Sequence, residues 1–342
     1  MKSLLLSGAA GFIGSHFLEH VLLNTDWEVT CISSWSHKGT PERIERAMRG
    51  QEHRVKVVTH DLSELMTGIT EARLGDFDYI VNFAADSHVE RSIDDPVPFV
   101  KNNVGVALTM LEFARKIMRQ KISAPEPRLK AFVQISTDEV YGAAPEGINH
   151  KEWSPILPSN PYSASKACQE AIAISYWRTY GIPVVITNTM NNFGETQDAE
   201  KYIAMLIRKI YNGETVTIHG NDEYIGSRFY LHARNHADAV LHILKQTPTK
   251  YVDNNEIVMP DRYNVVGDEE LNNLQIAQMV AEILGKELKY ELVDFHNTRP
   301  GHDRRYALDG SKMKESGWVA PVPLKESLKK YIDWTLKNNI WI

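Results

Sequence analysis

The sequence predicts an α/β protein in which a doubly wound parallel sheet carries a smaller α+β lobe. In the first half of its 342 residues, short apolar or β-branched runs alternate with helical periodicity, the pattern of strands joined by crossover helices. Gly8, Gly11 and Gly14 lie between the first such run and the first helical stretch. After residue 190 this alternation stops and loops lengthen, which indicates a second lobe.

Each predicted strand before residue 190 is a short apolar run bounded by turn-forming residues. These strands are residues 4–7, 29–33, 55–60, 79–83, 131–136 and 184–187. Helices are predicted between them at residues 12–23, 41–48, 100–120 and 163–180. Apolar residues recur at helical spacing along 100–120, and Gly181 and Pro183 end the helix at 163–180.

The second half predicts helices at residues 202–212, 273–284 and 323–337, separated by short strands. Residues 229–245 are expected to return to the first domain. We therefore expect a sheet domain of residues 1–188 plus about 229–250, and a lobe of about 189–228 plus 251–342.

The composition limits the classes of molecule that the protein is expected to bind. A formal net charge of −6 and a pI near 6.1 argue against a general binder of nucleic acid or anionic membranes. Cys31 and Cys168 are too few for a disulfide framework or a zinc site. The apolar start is too short for a signal peptide, and no run approaches the roughly 20 residues of a membrane span. We expect a cytoplasmic protein.

Residues 8–14, Gly-Ala-Ala-Gly-Phe-Ile-Gly, predict a dinucleotide-binding turn. Glycines between a strand and a helix permit a tight turn and let backbone N–H groups approach a pyrophosphate. The spacing differs from the usual Gly-x-Gly-x-x-Gly. The prediction of a dinucleotide site therefore depends on the location of these glycines between the first strand and the first helix. The candidate cofactor residues here are Gly8, Gly11, Phe12, Ile13 and Gly14.

The residues after the second strand bear on the choice between NAD and NADP. An NAD site usually carries Asp or Glu there, which accepts from the ribose 2′-hydroxyl. Residues 32–38, Ile-Ser-Ser-Trp-Ser-His-Lys, contain no acid, so Ser33 and Lys38 can donate to a 2′-phosphate, or Ser33 can bind the ribose of NAD. Both choices stay open. Asp61 and Leu62 are candidates to contact adenine, although Asp61 can instead cap a helix.

Two short motifs carry the chemistry. Residues 136–142, Ser-Thr-Asp-Glu-Val-Tyr-Gly, follow a predicted strand, and residues 162–166, Tyr-Ser-Ala-Ser-Lys, lie in the next helix. A tyrosine and a lysine four residues apart share a helix face, so the ammonium can lower the pKa of the phenol from its usual value of about 10. The adjacent Asp138 and Glu139 can then supply a separate acid and base.

Together these motifs resemble the extended short-chain dehydrogenase/reductase superfamily and, within it, the dTDP-glucose 4,6-dehydratases. The resemblance covers almost the whole chain through residues 8–14, 84–92, 102–105, 136–142, 162–166, 191–194, 200–201 and 299–306. Related epimerases and decarboxylases share the tyrosine and lysine but usually lack the acid pair. The resemblance implies a Rossmann-type domain, tightly bound NAD or NADP, and a homodimer formed through the helices at about 100–120 and 163–180.

The resemblance also implies a reaction: oxidation of a nucleotide-diphosphate hexose at C4, loss of water across C5–C6, and hydride return to C6. Tyr162 with Lys166 would take the C4 hydroxyl proton, and Thr137 would bind the C4 oxygen. Glu139 would remove the C5 proton while Asp138 protonates the departing hydroxyl. Adjacent carboxyl groups can hold opposite protonation states because one pocket disfavours double ionisation.

Further ligands follow from the resemblance. Cofactor contacts are expected at Ala84, Ala85, Asn102, Tyr162 and Lys166. Substrate contacts are expected at Ser87, His88, Asn191, Asn192, Glu200, Lys201, Arg228, Asn264, Arg299 and His302. Arginine matches phosphate geometry bidentately, which favours the two arginines, whereas the histidine at position 88 can equally be structural.

Two segments depart from the family pattern. Gly194 is followed by Glu-Thr-Gln-Asp-Ala, where the dTDP-glucose enzymes typically carry a proline and aromatic residues, and residues 226–235 lack the usual acid near their end. We expect a 4,6-dehydratase with dTDP-glucose as substrate. The alternatives are a C4 epimerase or decarboxylase of the same superfamily, or a non-catalytic NAD(P)-binding regulator, a class that typically loses the tyrosine or the lysine.

Overall fold

A seven-stranded parallel sheet forms the centre of the computed structural model, which describes residues 1–36, 38–119, 128–252, 256–294 and 301–338. The strands in chain order are β1 (Ser3–Ser7), β2 (Glu28–Ser33), β3 (Val55–Thr59), β4 (Tyr79–Asn82), β5 (Ala131–Thr137), β6 (Val184–Thr189), β7 (Asn191–Phe193), β8 (Val216–His219), β9 (Ser227–His232), β10 (Asp261–Val265), β11 (Glu270–Asn272) and β12 (Tyr290–Val293). The order in the central sheet is β10-β6-β5-β4-β1-β2-β3, and every neighbouring pair is parallel.

Helices cover both faces of this sheet. The helices of the described residues, in the central domain and the second lobe together, are α1 (Phe12–Asn24), α2 (Pro41–Met48), α3 (Gly68–Leu74), α4 (Val89–Asp94), α5 (Pro96–Arg119), α6 (Pro161–Tyr180), α7 (Tyr202–Tyr211), α8 (Ala233–Leu244), α9 (Asn273–Leu284), α10 (Ser311–Glu315) and α11 (Leu324–Lys337). Helix α1 packs against α2 and α8, whereas α5 packs against α6. The predicted doubly wound α/β class is confirmed.

The continuous apolar sequence of β1 reflects burial on both faces of the sheet. Leu4, Leu5 and Leu6 are all fully buried, and successive side chains of a strand point to opposite faces. Leu4 and Leu6 join the cluster that contains Phe17 of α1, and Leu5 joins the cluster that contains Met110 of α5. A parallel sheet covered by helices on both sides requires this pattern.

The second lobe contains a three-stranded sheet, β11-β9-β7, and a two-stranded sheet, β12-β8. Phe193, Ile207, Ile276 and Leu328 form part of its separate core. One strand departs from the expected division of the chain, because β10 lies within residues 251–342 and yet pairs with β6 in the central sheet. Among the described residues, no helix is long and apolar enough to cross a membrane.

Candidate active site

A cleft of about 950 Å³ opens at the carboxyl ends of β1, β4 and β5, where the strand order of the central sheet reverses. It brings together most of the residues predicted from the sequence. Those lining it are Gly8, Gly11, Phe12, Ile13, Gly14, Ser33, Lys38, Asp61, Leu62, Ala84, Ala85, Ser87, His88, Asn102, Thr137, Asp138, Glu139, Tyr162, Lys166, Asn191, Asn192, Glu200 and Lys201.

The glycine turn forms a tight cradle whose backbone leaves no room for a side chain at Gly8 or Gly14. A Cβ on Gly14 would lie 2.2 Å from the carbonyl oxygen of Gly8, and a Cβ on Gly8 would lie 2.8 Å from the amide nitrogen of Ala84. Gly8 also has φ of +73°, a conformation that favours glycine. No side chain caps the start of α1 at Gly11, so the cradle and the first amides of the helix fit the diphosphate of a dinucleotide.

The end of β5 positions the acid pair. Thr137 donates its hydroxyl hydrogen to Oδ1 of Asp138 across 2.9 Å, and its oxygen accepts from the amide of Glu139 at 3.4 Å. Oδ2 of Asp138 is buried and has no hydrogen-bond partner among the described residues. Oε2 of Glu139 accepts from Nδ2 of Asn160, the cap of α6, at 3.2 Å. The two carboxyl groups therefore differ in their hydrogen bonds, because Oδ2 of Asp138 has no partner among the described residues whereas Oε2 of Glu139 has one.

Burial makes both carboxyl groups weaker acids than usual. It raises the pKa of Asp138 to about 7, with a further contribution from the charge of Glu139. Burial also raises the pKa of Glu139, which the hydrogen bond from Asn160 and the positive charges of Arg228 and Lys201 partly oppose. At neutral pH the pair can hold one proton, with an acid and a base side by side.

Tyr162 and Lys166 lie in the first turns of α6. The amide of Tyr162 donates to Oγ of Ser92 at 3.1 Å, and a hydrogen bond joins its hydroxyl to Thr137. Nζ of Lys166 donates to the carbonyl of Ile135 at 2.7 Å and to Oε1 of Gln169 at 2.6 Å. Burial lowers the pKa of Lys166 to about 8.

The expected lowering of the tyrosine pKa is not seen within the protein itself. Burial and the charges of Glu139 and Asp138 raise the pKa of Tyr162 above its usual value, and only its hydrogen bond with Thr137 opposes them. The ammonium of Lys166 is committed instead to Ile135 and Gln169. The spacing of four residues predicted the shared helix face but not these acceptors.

A buried polar chain supports this lysine, and sequence reasoning missed it. Ser7 donates to Asn82 at 2.5 Å, Asn82 donates to Gln134 at 3.0 Å, and Gln134 donates to Gln169 at 3.0 Å. All four side chains are fully buried. Polar residues inside otherwise apolar strands could have predicted this chain, because buried polar groups require hydrogen-bond partners.

The second lobe supplies positive charge to the cleft. Arg228 of β9 lies over the ring of Tyr306, 5.4 Å from its centroid, and its charge lowers the pKa values of Asp138 and Glu139. Burial lowers the pKa of Lys201. His302 is part-buried in the segment that follows residue 300, and Arg299 lies outside the described residues.

Asn264 does not fit the substrate contact expected of it. It is fully buried in β10, where its Nδ2 donates to the carbonyl oxygens of His150 at 3.0 Å and Asp309 at 3.2 Å. Asn264 is not among the residues that line the cleft. Its role in the structure is to hold the two segments that contain those carbonyl groups.

The divergent segment after Gly194 forms a buried charge cluster. Glu195 accepts from Nη2 of Arg234 at 3.0 Å and lies 3.2 Å from both His16 and His232. Burial alone would raise the pKa of Glu195, but its hydrogen bonds with the two histidines lower it well below the usual range. The cluster fastens the second lobe to α1, behind the glycine turn.

The sheet, the glycine turn and the Tyr-x-x-x-Lys pair define a member of the extended short-chain dehydrogenase/reductase superfamily. Within it, residues 5–331 match the model of the GDP-mannose 4,6 dehydratase family, and the chain belongs to that family. A Haloferax volcanii relative, low-salt glycan biosynthesis protein Agl12, is 33% identical over 335 residues, which cover 98% of this chain and 99% of the relative.

Two dehydratases are also similar over nearly their full length. The dTDP-glucose 4,6-dehydratase of Xanthomonas campestris pv. campestris strain ATCC 33913 is 31% identical, covering 100% of this chain and 95% of the relative. The crystal structure of DesIV, a dTDP-glucose 4,6-dehydratase from Streptomyces venezuelae with NAD and TYD bound, has a TM-score of 0.84 and 31% identity. It covers 99% of this chain and 98% of DesIV.

Proposed function

We propose that this protein is a nucleotide-sugar 4,6-dehydratase that converts dTDP-glucose to dTDP-4-keto-6-deoxyglucose. The observation that carries the proposal is the meeting of Thr137, Asp138 and Glu139 with Tyr162 and Lys166 in one cleft beside the glycine turn. The named dehydratases of similar length support it. The sugar of the substrate would lie between the acid pair and the tyrosine.

Tyr162 serves as the base for the C4 hydroxyl. Its hydrogen bond to Thr137 places the phenol beside a second hydroxyl that can bind the C4 oxygen. Lys166 lies one helical turn away, with its ammonium held by the carbonyl of Ile135 and by Gln169. A nicotinamide cofactor held by the glycine turn would supply the hydride acceptor and donor for C4 and C6, and its oxidised ring would add a positive charge to the site.

The acid pair performs the elimination. The 4-keto group acidifies C5–H, Glu139 takes that proton, and the C–H electron pair forms the C5=C6 double bond as the C6–O bond breaks. Asp138 protonates the departing hydroxyl through Oδ2, so that water leaves. Glu139 then returns its proton to C5 as hydride arrives at C6. Glu139 ends in its starting state. Asp138 regains a proton from solvent, and Tyr162 releases to solvent the proton it took from the C4 hydroxyl.

The cradle formed by Gly8 and Gly14 suits the diphosphate of NAD or NADP, and Arg228 and Lys201 suit that of the sugar nucleotide. We propose a homodimer formed through α5 and α6, acting in the cytoplasm, as the resemblance implies. Light scattering coupled to size exclusion tests the dimer.

A substrate panel of dTDP-, UDP-, GDP- and CDP-glucose, with products measured by mass spectrometry, tests the proposed reaction. Loss of one water from dTDP-glucose, with formation of a keto sugar, is the expected result. A product of unchanged mass would favour a C4 epimerase, and no product from any of the four would contradict the proposal.

A further inference from the structure

An ion pair between Arg262 of β10 and Glu170 of α6 is buried beneath the ring of Trp153. Nη2 of Arg262 donates to Oε2 of Glu170 at 2.8 Å, and both side chains are fully buried. The guanidinium lies 4.3 Å from the centroid of the Trp153 ring. Removing two charges from water is costly, and well-packed apolar side chains of similar volume often give equal stability. Stability alone therefore does not explain this pair.

Asn188 connects the ion pair to the end of β5, where the acid pair begins. Its Nδ2 donates to Oε1 of Glu170 at 2.8 Å and to the carbonyl oxygen of Thr137 at 3.0 Å. The side chain of Thr137 in turn donates to Asp138 and is hydrogen-bonded to the hydroxyl of Tyr162. The carboxylate of Glu170 therefore fixes an amide that holds the backbone of Thr137.

Arg262 makes a second contact with the segment that carries the acid pair. Its Nη1 donates to the hydroxyl oxygen of Tyr141 at 3.2 Å, and this hydroxyl donates to the carbonyl oxygen of Glu152 at 2.8 Å. Tyr141 is the last residue of a short 3-10 helix, Asp138–Tyr141, which begins with the acid pair. Both ends of this 3-10 helix are therefore connected to the ion pair.

We propose that Glu170 is a positioning residue for the reaction, which orients Asn188 and through it holds the backbone of Thr137 in place. Arg262 neutralises Glu170 inside the protein. Glu170 also follows Lys166 by one helical turn, and its charge opposes the lowering of the pKa of this lysine by burial. Glu170, Asn188 and Arg262 do not line the cleft, so they act through residues that do. The inference rests on the proposed function for its activity measurement.

Two double variants separate the hydrogen-bond acceptor from the charge. Both contain Arg262→Met, combined with Glu170→Gln in the glutamine double variant and with Glu170→Leu in the leucine double variant. Each removes both charges, so neither leaves a buried ion without a partner. Glutamine keeps a side-chain oxygen that can accept from Asn188, whereas leucine has none. A difference between the two double variants therefore reports the acceptor and not the charge.

Turnover of dTDP-glucose should separate these variants in kcat. The glutamine double variant should keep kcat within about threefold of wild type, whereas the leucine double variant should lose at least about tenfold with KM nearly unchanged. Urea unfolding should give the two double variants similar midpoints. Asn188→Ala, which keeps the ion pair intact, should lose kcat in the same way. Equal kcat in the two double variants, full kcat in Asn188→Ala, or a loss confined to KM would overturn the proposal.

A measurement without substrate distinguishes failure of this inference from failure of the proposed function. Labelling threonine with ¹³C at the carbonyl and aspartate with ¹⁵N gives NMR correlations from Thr137–Asp138 and from Thr25–Asp26, the other such pair in the sequence. The carbonyl signal of Thr137 should shift in the leucine double variant and in Asn188→Ala but not in the glutamine double variant, while that of Thr25 stays constant. An unchanged Thr137 signal in all three would overturn the inference. The expected shifts in a protein that dehydrates no sugar nucleotide would support the positioning of Thr137 and contradict only the proposed function.

Discussion

Thr137 donates its hydroxyl hydrogen to Oδ1 of Asp138 across 2.9 Å, and Oδ2 of the same carboxyl group lies buried without a partner among the described residues. A buried polar atom of this kind is costly unless a ligand completes it. With the pKa of Asp138 raised to about 7 by burial, the carboxyl group can carry a proton at neutral pH and present it to a leaving group.

Replacing the acid pair should separate oxidation from elimination. In Asp138→Asn and Glu139→Gln, Tyr162 and Lys166 remain, so C4 oxidation should proceed while turnover falls by about 10²–10⁴-fold. Stopped-flow absorbance should then show reduced nicotinamide accumulating after addition of dTDP-glucose. Glu287→Gln, at an exposed carboxylate, is the matched control and should behave normally. Wild-type turnover in both acid variants would assign the elimination to other groups.

Removing the base should block the first step instead. Tyr162→Phe keeps the aromatic contact with Phe99 but has no hydroxyl to accept the C4 proton. The rate of cofactor reduction should fall by about 10²–10⁴-fold, without accumulation of reduced nicotinamide. Tyr180→Phe alters an exposed tyrosine on the same helix and serves as the control. Reduction at an undiminished rate in Tyr162→Phe would contradict the assigned role.

The elimination step should depend on pH through Asp138. Its carboxyl group must be protonated to act as the acid, and its pKa is about 7, so the protonated fraction falls about tenfold for each pH unit above that value. Single-turnover loss of water, followed by quenching and mass spectrometry, should show this falling limb. Asp138→Asn should lack the limb. A wild-type rate that is constant well above pH 7 would show that another group donates the proton.

The same carboxyl group should lower stability at alkaline pH. Its pKa is raised in the folded state, so its proton binding stabilises the fold below the unfolded value of about 4, and this contribution is lost as pH rises through about 7. The difference in free energy of unfolding between Asp138→Asn and the wild type should therefore be about 1–3 kcal/mol more favourable to the variant at pH 8 than at pH 4. Urea unfolding measures the difference.

For that experiment, Asp26→Asn provides the exposed control and should shift the free energy of unfolding by less than about 0.5 kcal/mol at either pH. An equal effect of Asp138→Asn at both pH values would mean that burial does not raise the pKa of this group in the folded protein. Such a result would also remove the basis for the pH-dependent elimination rate.

The sequence predicted those parts of the fold and site that local pattern determines. The apolar run of β1, the glycine turn and the helical spacing of Tyr162 and Lys166 each depend on neighbours in the chain. The bond from Asn160 to Glu139 and the acceptor Gln169 for Lys166 depend on how β5 and α6 pack together. No local pattern contains that information.

The sequence also did not predict the surroundings of individual side chains that depend on long-range strand pairing. The resemblance implied that Asn264 is a substrate ligand, but its amide donates to the carbonyl oxygens of His150 and Asp309, and it does not line the cleft. The pKa of Tyr162 likewise depends on burial and on Glu139, a residue more than twenty positions away. Long-range pairing and the electrostatic environment are properties of the folded chain.

The central claim is that one cleft oxidises C4, eliminates water and reduces C6. Incubation with dTDP-glucose deuterated at C4, with product analysis by mass spectrometry and NMR, tests all three steps at once. We predict a 4-keto-6-deoxy sugar that has lost one water and carries the deuterium at C6. A product that keeps its oxygen, or one that has lost water with no deuterium at C6, would contradict the account.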